Sequence, residues 1–227
     1  MKAVILAAGM GMRLEDTVPK PMISLEGGET ILDFQIKKLT KYISVHDIFV
    51  VVGYKKELLM EKHPELAYVY NHQYTKTNTA KSLLLALQKI KEDTIWLNGD
   101  VFFDEEVLAK LTDAKNTTIL VQNKKCGEEE IKYNVDGKGF VKEISKSVTG
   151  GLGEAVGINL IKEKDLPAFV EHLKAVGPQD YFEKAVENMI KKDKIKITPV
   201  EIKDLFCVEI DFPEDLEKVK DHIRSSR

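Results

Sequence analysis

Apolar residues run along this chain in blocks rather than singly. Behind Lys2, the residues AVILAA form a continuous apolar run that stops at Gly9, which predicts a strand covered on both faces. DIFVVVG (47–53) and AYVYN (67–71) predict two more strands, and TIWLNGD (94–100) a fourth that closes on a glycine and an acid. Between them the period becomes that of a helix. In 30–43, Leu32, Gln35 or Ile36, Leu39 and Ile43 share one face, and Thr30 with Asp33 resembles a capping box with Asp in place of Glu. A short charged helix follows the second strand. NTAKSLLLALQKI (78–90) predicts another helix, which Asn78 or Thr79 can cap. This alternation over the first ~120 residues predicts a parallel, doubly wound sheet.

The pattern then changes. EIKYNVDGKGFVKEIS (130–145) alternates around Asp136-Gly137-Lys138-Gly139, a hairpin signal. GEAVGINLI (153–161) is a strand, KDLPAFVEHLKAV and QDYFEKAVENMIKK are helices, and KIKITPVEI and CVEID precede a final helix from Pro213. Without an internal repeat, a low-complexity tract or a linker, the economical expectation is one α/β domain over 1–227. It combines a Rossmann-like, doubly wound, mostly parallel mixed sheet with a hairpin and helical extension, in halves 1–122 and 123–227.

Composition narrows the function classes. Hydrophobic content of 43% with 31% charged residues fits a soluble globular chain. The net charge of 34 − 37 = −3, with both signs interspersed, favours neither nucleic acid nor an anionic membrane as partner. Cys126 and Cys207 are too few for a disulfide framework or a zinc site, and point to a reducing compartment. The first apolar run is short and broken by glycine, which argues against a signal peptide, and no stretch approaches the ~20 apolar residues of a membrane span. A cytoplasmic protein is expected. Oligomeric state is not legible.

The first strand runs into LAAGMGMRL (6–14). Its two glycines lack the third of a dinucleotide fingerprint, where Leu14 stands, and the Gly-Lys-Ser/Thr of a P-loop is absent. Two readings remain: an ordinary turn, or a different phosphate loop in which Arg13 does the work of lysine. In open α/β sheets ligands sit beyond the carboxyl ends of the strands, where this loop lies. Gly9 and Gly11 let backbone N–H groups approach an anion, and Arg13 adds a planar fork suited to phosphate. Lys20 stands between Pro19 and Pro21 on a segment expected to be stiff and extended, a mount that a mobile surface lysine does not need.

Gly9, Gly11, Arg13, Pro19 and Lys20 together resemble the G-x-G-x-R…P-K signature of the nucleoside-triphosphate transferases, the NDP-sugar pyrophosphorylase and cytidylyltransferase superfamily. The resemblance implies a nucleotide-binding half, 1–122, and an acceptor-binding half, 123–227. It assigns Arg13 and Lys20 to catalysis, and Leu6, Ala7, Ala8, Gly9, Gly11, Asn78, Ser82 and Asp100 to the nucleotide. Asp100 ends one strand and Asp211 another. Two isolated carboxylates suit Mg2+, and the resemblance implies that these two hold a catalytic magnesium. As helix caps they have ordinary alternatives. Asp104 is the better-placed cap for the helix after Asp100, and Glu209 is assigned to the strand face opposite Asp211. Asp100-Val101-Phe102 stands where a glycosyltransferase would show Asp-x-Asp.

The implied reaction is in-line attack on the α-phosphorus of a nucleoside triphosphate, with pyrophosphate leaving. The stretch N-x-x-x-S-L from Asn78 resembles the phosphocholine, aminoethylphosphonate and inositol-1-phosphate cytidylyltransferases, which favours CTP and a small phosphorylated or phosphonate acceptor. Lys146, Glu154 and Tyr181 are the acceptor-binding candidates, with Asp180-Tyr181-Phe182 as a wall of the pocket. Trp96 is expected in the core, and Glu128-Glu129-Glu130 as a solvated turn. The competing readings are a UTP- or dTTP-dependent sugar-1-phosphate pyrophosphorylase and a non-catalytic nucleotide-binding module. A Rossmann dehydrogenase is opposed by Leu14.

Overall fold

The computed structural model describes residues 1–9 and 18–226. In chain order the strands are β1 (Lys2–Ala7), β2 (Ile48–Val52), β3 (Ala67–Tyr70), β4 (Thr94–Asn98), β5 (Val101–Phe103), β6 (Thr118–Gln122), β7 (Lys132–Val135), β8 (Val141–Ser145), β9 (Gly153–Ile161), β10 (Thr198–Glu201) and β11 (Cys207–Glu209). The helices are α1 (Ile31–Leu39), α2 (Lys56–Lys62), α3 (Thr79–Leu87), α4 (Glu105–Thr112), α5 (Leu166–Ala175), α6 (Phe182–Asn188) and α7 (Pro213–Ser225).

The main sheet runs β10-β6-β9-β4-β1-β2-β3, so strands of both halves lie in one sheet. β1 pairs parallel with β2 and β4, and β2 with β3, as the alternation predicts. β6 does not join them directly. The antiparallel β9 is inserted between β4 and β6, so the second half of the chain splits the sheet of the first. The strand order reverses at the β1–β4 border, where the chain leaves β1 to one side and returns to the other.

β1 is apolar throughout because both its faces are covered. Ala3, Ile5 and Ala7 pack into a core with α1, α4 and α7 residues such as Leu32, Leu108 and Val219. Val4, Leu6 and Ala8 pack into a second core with Leu83, Phe169 and Ala185 of α3, α5 and α6. Trp96 is buried in that second core, tilted by 40° against Phe169 and edge-on to Phe182.

Local chemistry sets the element ends. The Thr30–Asp33 capping box forms in full, with Asp33 N–H donating to Thr30 Oγ1 and Thr30 N–H to Asp33 Oδ2. The hairpin β7–β8 turns on Asp136, whose Oδ1 accepts from Lys138 and Phe140 N–H, with Gly139 at φ +83°. Two expectations change, and one short strand is added. α1 ends at Leu39, short of Ile43, which joins the core from a turn. Asp104 occupies the N-cap position of α4, but its Oδ2 accepts from Phe206 N–H and its Oδ1 meets His222 Nε2. The three-residue strand β5, paired with β11, had no legible period. Among the described residues no helix is long and apolar enough to cross a membrane.

Candidate active site

At the carboxyl edge of β1 and β4 lies a cavity of about 790 Å³. Its lining includes Leu6, Ala7, Gly9, Lys20, Asn78 and Asp100 from the first half, and Lys146, Glu154, Tyr181 and Asp211 from the second. Ala8 and Ser82 stand outside that lining. Ala8 offers its carbonyl to Tyr54 N–H, and Ser82 is buried in the first turn of α3, where its Oγ accepts from Asn71 Nδ2 at 3.0 Å. Gly11 and Arg13 lie outside the described residues. Asn78 caps α3, accepting from Thr79 N–H, and also borders the cavity.

Lys20 is mounted differently from the extended segment expected. Pro19 is extended, at φ −58° and ψ 144°, and Lys20 opens a one-turn helix closed by Met22 N–H on the Pro19 carbonyl. Pro21 packs on Gly99, whose N–H donates to Leu6 O at 2.9 Å. A Cβ on Gly99 would lie 2.7 Å from Leu6 O and 3.0 Å from Pro21, so the lysine turn and the β4 end touch through that glycine. Gln35 supports the same turn from α1, with Nε2 donating to Asn98 O and Val101 O. Gly99→Ala is therefore expected to destabilise the fold by about 1–3 kcal/mol, the usual cost of overpacking. It should also lower the melting temperature together with any turnover, and an unchanged melting temperature would contradict this contact.

Lys20 Nζ bridges the two predicted acids. It donates to Asp100 Oδ2 at 3.1 Å and is in close contact with Asp211 Oδ1. Asp211 is left to the site because Asp215 takes over capping at α7: its Oδ2 accepts from Phe212 N–H, and α7 starts at Pro213. Burial pulls the Lys20 ammonium down, but the Asp100 charge and the Asp211 contact outweigh it and hold the pKa above its ordinary value. Burial raises the Asp100 carboxyl against the opposing pull of Lys20.

Glu209 does not point away. Residues two apart along a strand share a face, so the alternation gives no ground for separating it from Asp211, and both line the same cavity. Glu209 Oε1 accepts from Asn98 Nδ2 at 2.9 Å across Gly157, which at φ +71° leaves no side chain in the way. Burial, reinforced by the Asp100 charge, pushes the Glu209 carboxyl up to about 8.

The donor chemistry fits Mg2+. Asp100 and Asp211 converge on one cation, and Asn98 Oδ1 is buried beside them without a donor among the described residues. Among those residues no group of three or more His, Cys, Asp or Glu is placed to hold a metal. That leaves two carboxylates and open positions, the arrangement magnesium takes when substrate phosphates complete its shell.

The wall contributed by the second half joins the candidates Lys146, Glu154 and Tyr181 to Lys124 and Glu183, which the sequence did not single out. Lys124 pairs with Glu154 at 2.5 Å, and Lys146 pairs with Glu129 at 3.0 Å while lying 5.4 Å over the Tyr181 ring. Glu129 and Glu130 thus border the cavity, where a merely solvated turn was expected. Glu183 belongs to the same wall and is buried.

Fold and site together define a nucleotide-handling α/β protein. Residues 3–182 match the MobA-like NTP transferase domain, and the chain belongs to that family. It is 37% identical over 113 residues to the bifunctional protein GlmU of Methanococcus maripaludis, covering 47% of this chain and 26% of that one. It is 26% identical over 237 residues to the CMP-5'-(3-aminopropyl)phosphonate synthase of Streptomyces rubellomurinus, covering 95% of this chain and 37% of that protein. The chain thus spans about a quarter to a third of the length of these curated relatives. Its fold matches the inositol-1-phosphate CTP transferase from T. maritima with a TM-score of 0.79 and 18% identity, over 96% of both chains.

Proposed function

We propose that this chain is a Mg2+-dependent nucleotidyltransferase that moves CMP from CTP to a small phosphorylated or phosphonate acceptor and releases pyrophosphate. The observation that carries the proposal is the convergence of Lys20, Asp100 and Asp211 at the sheet's carboxyl edge, in one cavity with residues of the second half. The CMP-phosphonate synthase, aligned over nearly the whole chain, supports CTP and a phosphonate-type acceptor.

In this mechanism an acceptor phosphate or phosphonate oxygen attacks the α-phosphorus. The bond to the β-phosphate oxygen breaks, and pyrophosphate leaves with the electron pair. The nucleophile's second pKa is about 6, so it is largely dianionic at neutral pH and needs no base. The described cavity lining holds no histidine, which agrees with that chemistry. Lys20 donates to the α-phosphate and meets its growing negative charge. Asp100 and Asp211 would hold Mg2+, which when bound supplies positive charge between the two repelling anions. Gly9 and Asn78 line the nucleotide end, and Lys146 serves the acceptor's phosphate.

The test is a pyrophosphate-release screen with Mg2+, crossing the four nucleoside triphosphates with phosphocholine, aminoethylphosphonate, inositol-1-phosphate and hexose 1-phosphates. Release with CTP and one of the first three is expected. Release only with UTP or dTTP and a hexose 1-phosphate would replace this reading by the sugar-nucleotide one. No release from any pair would favour a binding module.

A further inference from the structure

We propose that the acceptor is a short zwitterion whose primary ammonium group is held at Glu183, beside the face of Tyr181. The inference rests on the nucleotidyl-transfer reading and adds to it a choice among acceptors.

The charges of the wall carry it. At the acceptor end the lining acids are Glu129, Glu130, Glu154 and Glu183, and the lysines are Lys124 and Lys146. Both lysines already pair with acids, Lys124 with Glu154 and Lys146 with Glu129. Glu183 has no such pair. It is 7% exposed, and its Oε2 is buried with no hydrogen-bond donor among the described residues. A buried carboxylate oxygen without a donor is costly, so this position suits a donor or a cation. Burial pushes its carboxyl up to about 7, against a hydrogen bond from its own backbone N–H and the charge of Lys146.

Two features select an ammonium. The Tyr181 ring, 45% exposed, already carries the Lys146 ammonium over its face, so the ring accepts a cation where it stands. An acceptor phosphate that draws Lys146 away would leave both the ring and Glu183 to the other end of the same molecule. A primary ammonium is favoured over a quaternary one. Its N–H groups can donate to Glu183, whereas the described residues around Tyr181 form no aromatic cage: Phe182, the neighbouring ring, is turned into the core and packs on Trp96. A polyol or sugar phosphate would face this acid-rich wall without a compensating charge.

The ordinary alternative is that Glu183 only stabilises the first turn of α6, where it is the acidic residue. Initial rates of pyrophosphate release with CTP and Mg2+ separate the two, comparing 2-aminoethylphosphonate with propylphosphonate, in which a methyl group replaces the ammonium. The wild type is expected to prefer the amine by about 10- to 100-fold in kcat/KM, the range of one charge-assisted hydrogen bond. Glu183→Gln should collapse that preference to a few-fold through the acceptor KM, with the KM for CTP retained as evidence of folding. Glu183→Asp should restore part of it. Equal losses for both acceptors in Glu183→Gln, or phosphocholine preferred over aminoethylphosphonate, would overturn the inference. Turnover without any preference for the amine defeats this inference alone. No turnover with any acceptor defeats the nucleotidyl-transfer reading and this inference with it.

Discussion

Lys20→Ala and Asp100→Ala should each lower turnover by about 10²-fold or more, close to 3 kcal/mol of lost transition-state stabilisation. Each removes a different partner of the same contact. Without Lys20, Asp100 and Asp211 lose the ammonium that joins them, and the α-phosphate loses its donor. Without Asp100, Lys20 keeps only Asp211 among the acids that the structure shows it holding. The loss should fall mainly on kcat, because the charge that these groups meet grows during the reaction. Both side chains lie on the cavity wall and are only partly buried, so circular dichroism should show retained folds. Turnover near that of the wild type in both variants would sink the assignment.

Glu183→Gln should stabilise the protein at alkaline pH and do little in acid. The direction follows from proton binding. The Glu183 carboxyl ordinarily ionises near 4.5 and in the fold near 7, because burial disfavours its charge. Between these values the folded chain holds a proton that the unfolded chain has released, so this group's contribution falls as pH rises and then levels off. The full difference is on the order of 3 kcal/mol. Urea denaturation of the two proteins should therefore agree near about pH 3.5, below both values, and diverge by about that much near pH 8.5. The same gain at both pH values would mean that packing, not charge, is responsible. Such a cost suits a binding residue: an ammonium ligand would offset what the empty site loses.

Much of this was legible one segment at a time. The apolar run of β1 told that both its faces are buried, because a half-exposed strand would alternate. Thr30 with Asp33 gave the start of α1, and Asp136 to Gly139 the hairpin, since caps and turns bond within a few residues. Lys20, Asp100 and Asp211 each sit at a loop or strand end marked by proline or glycine, and the resemblance to the nucleoside-triphosphate transferases joins them as a set. Glu209, expected on the face opposite Asp211, instead lines the cavity with it and accepts from Asn98.

What the sequence by itself determined is local: strand and helix type, turn chemistry, and the loop, lysine and acids at the strand ends. The tertiary structure decided which ends meet. The insertion of β9 between β4 and β6 brings Glu154 to the edge where Asp100 lies, and the pairing of β11 with β5 brings Glu209 and Asp211 there. Ser82, assigned to the nucleotide, turned out to be an inward-facing residue bonded to Asn71. Glu183 reads like any acid in a first helical turn, and what marks it is a buried Oε2 without a hydrogen-bond donor among the described residues. The physical reason is range. Backbone periodicity and capping are settled within a few residues, whereas the field at a carboxylate depends on every chain segment that the sheet order packs against it.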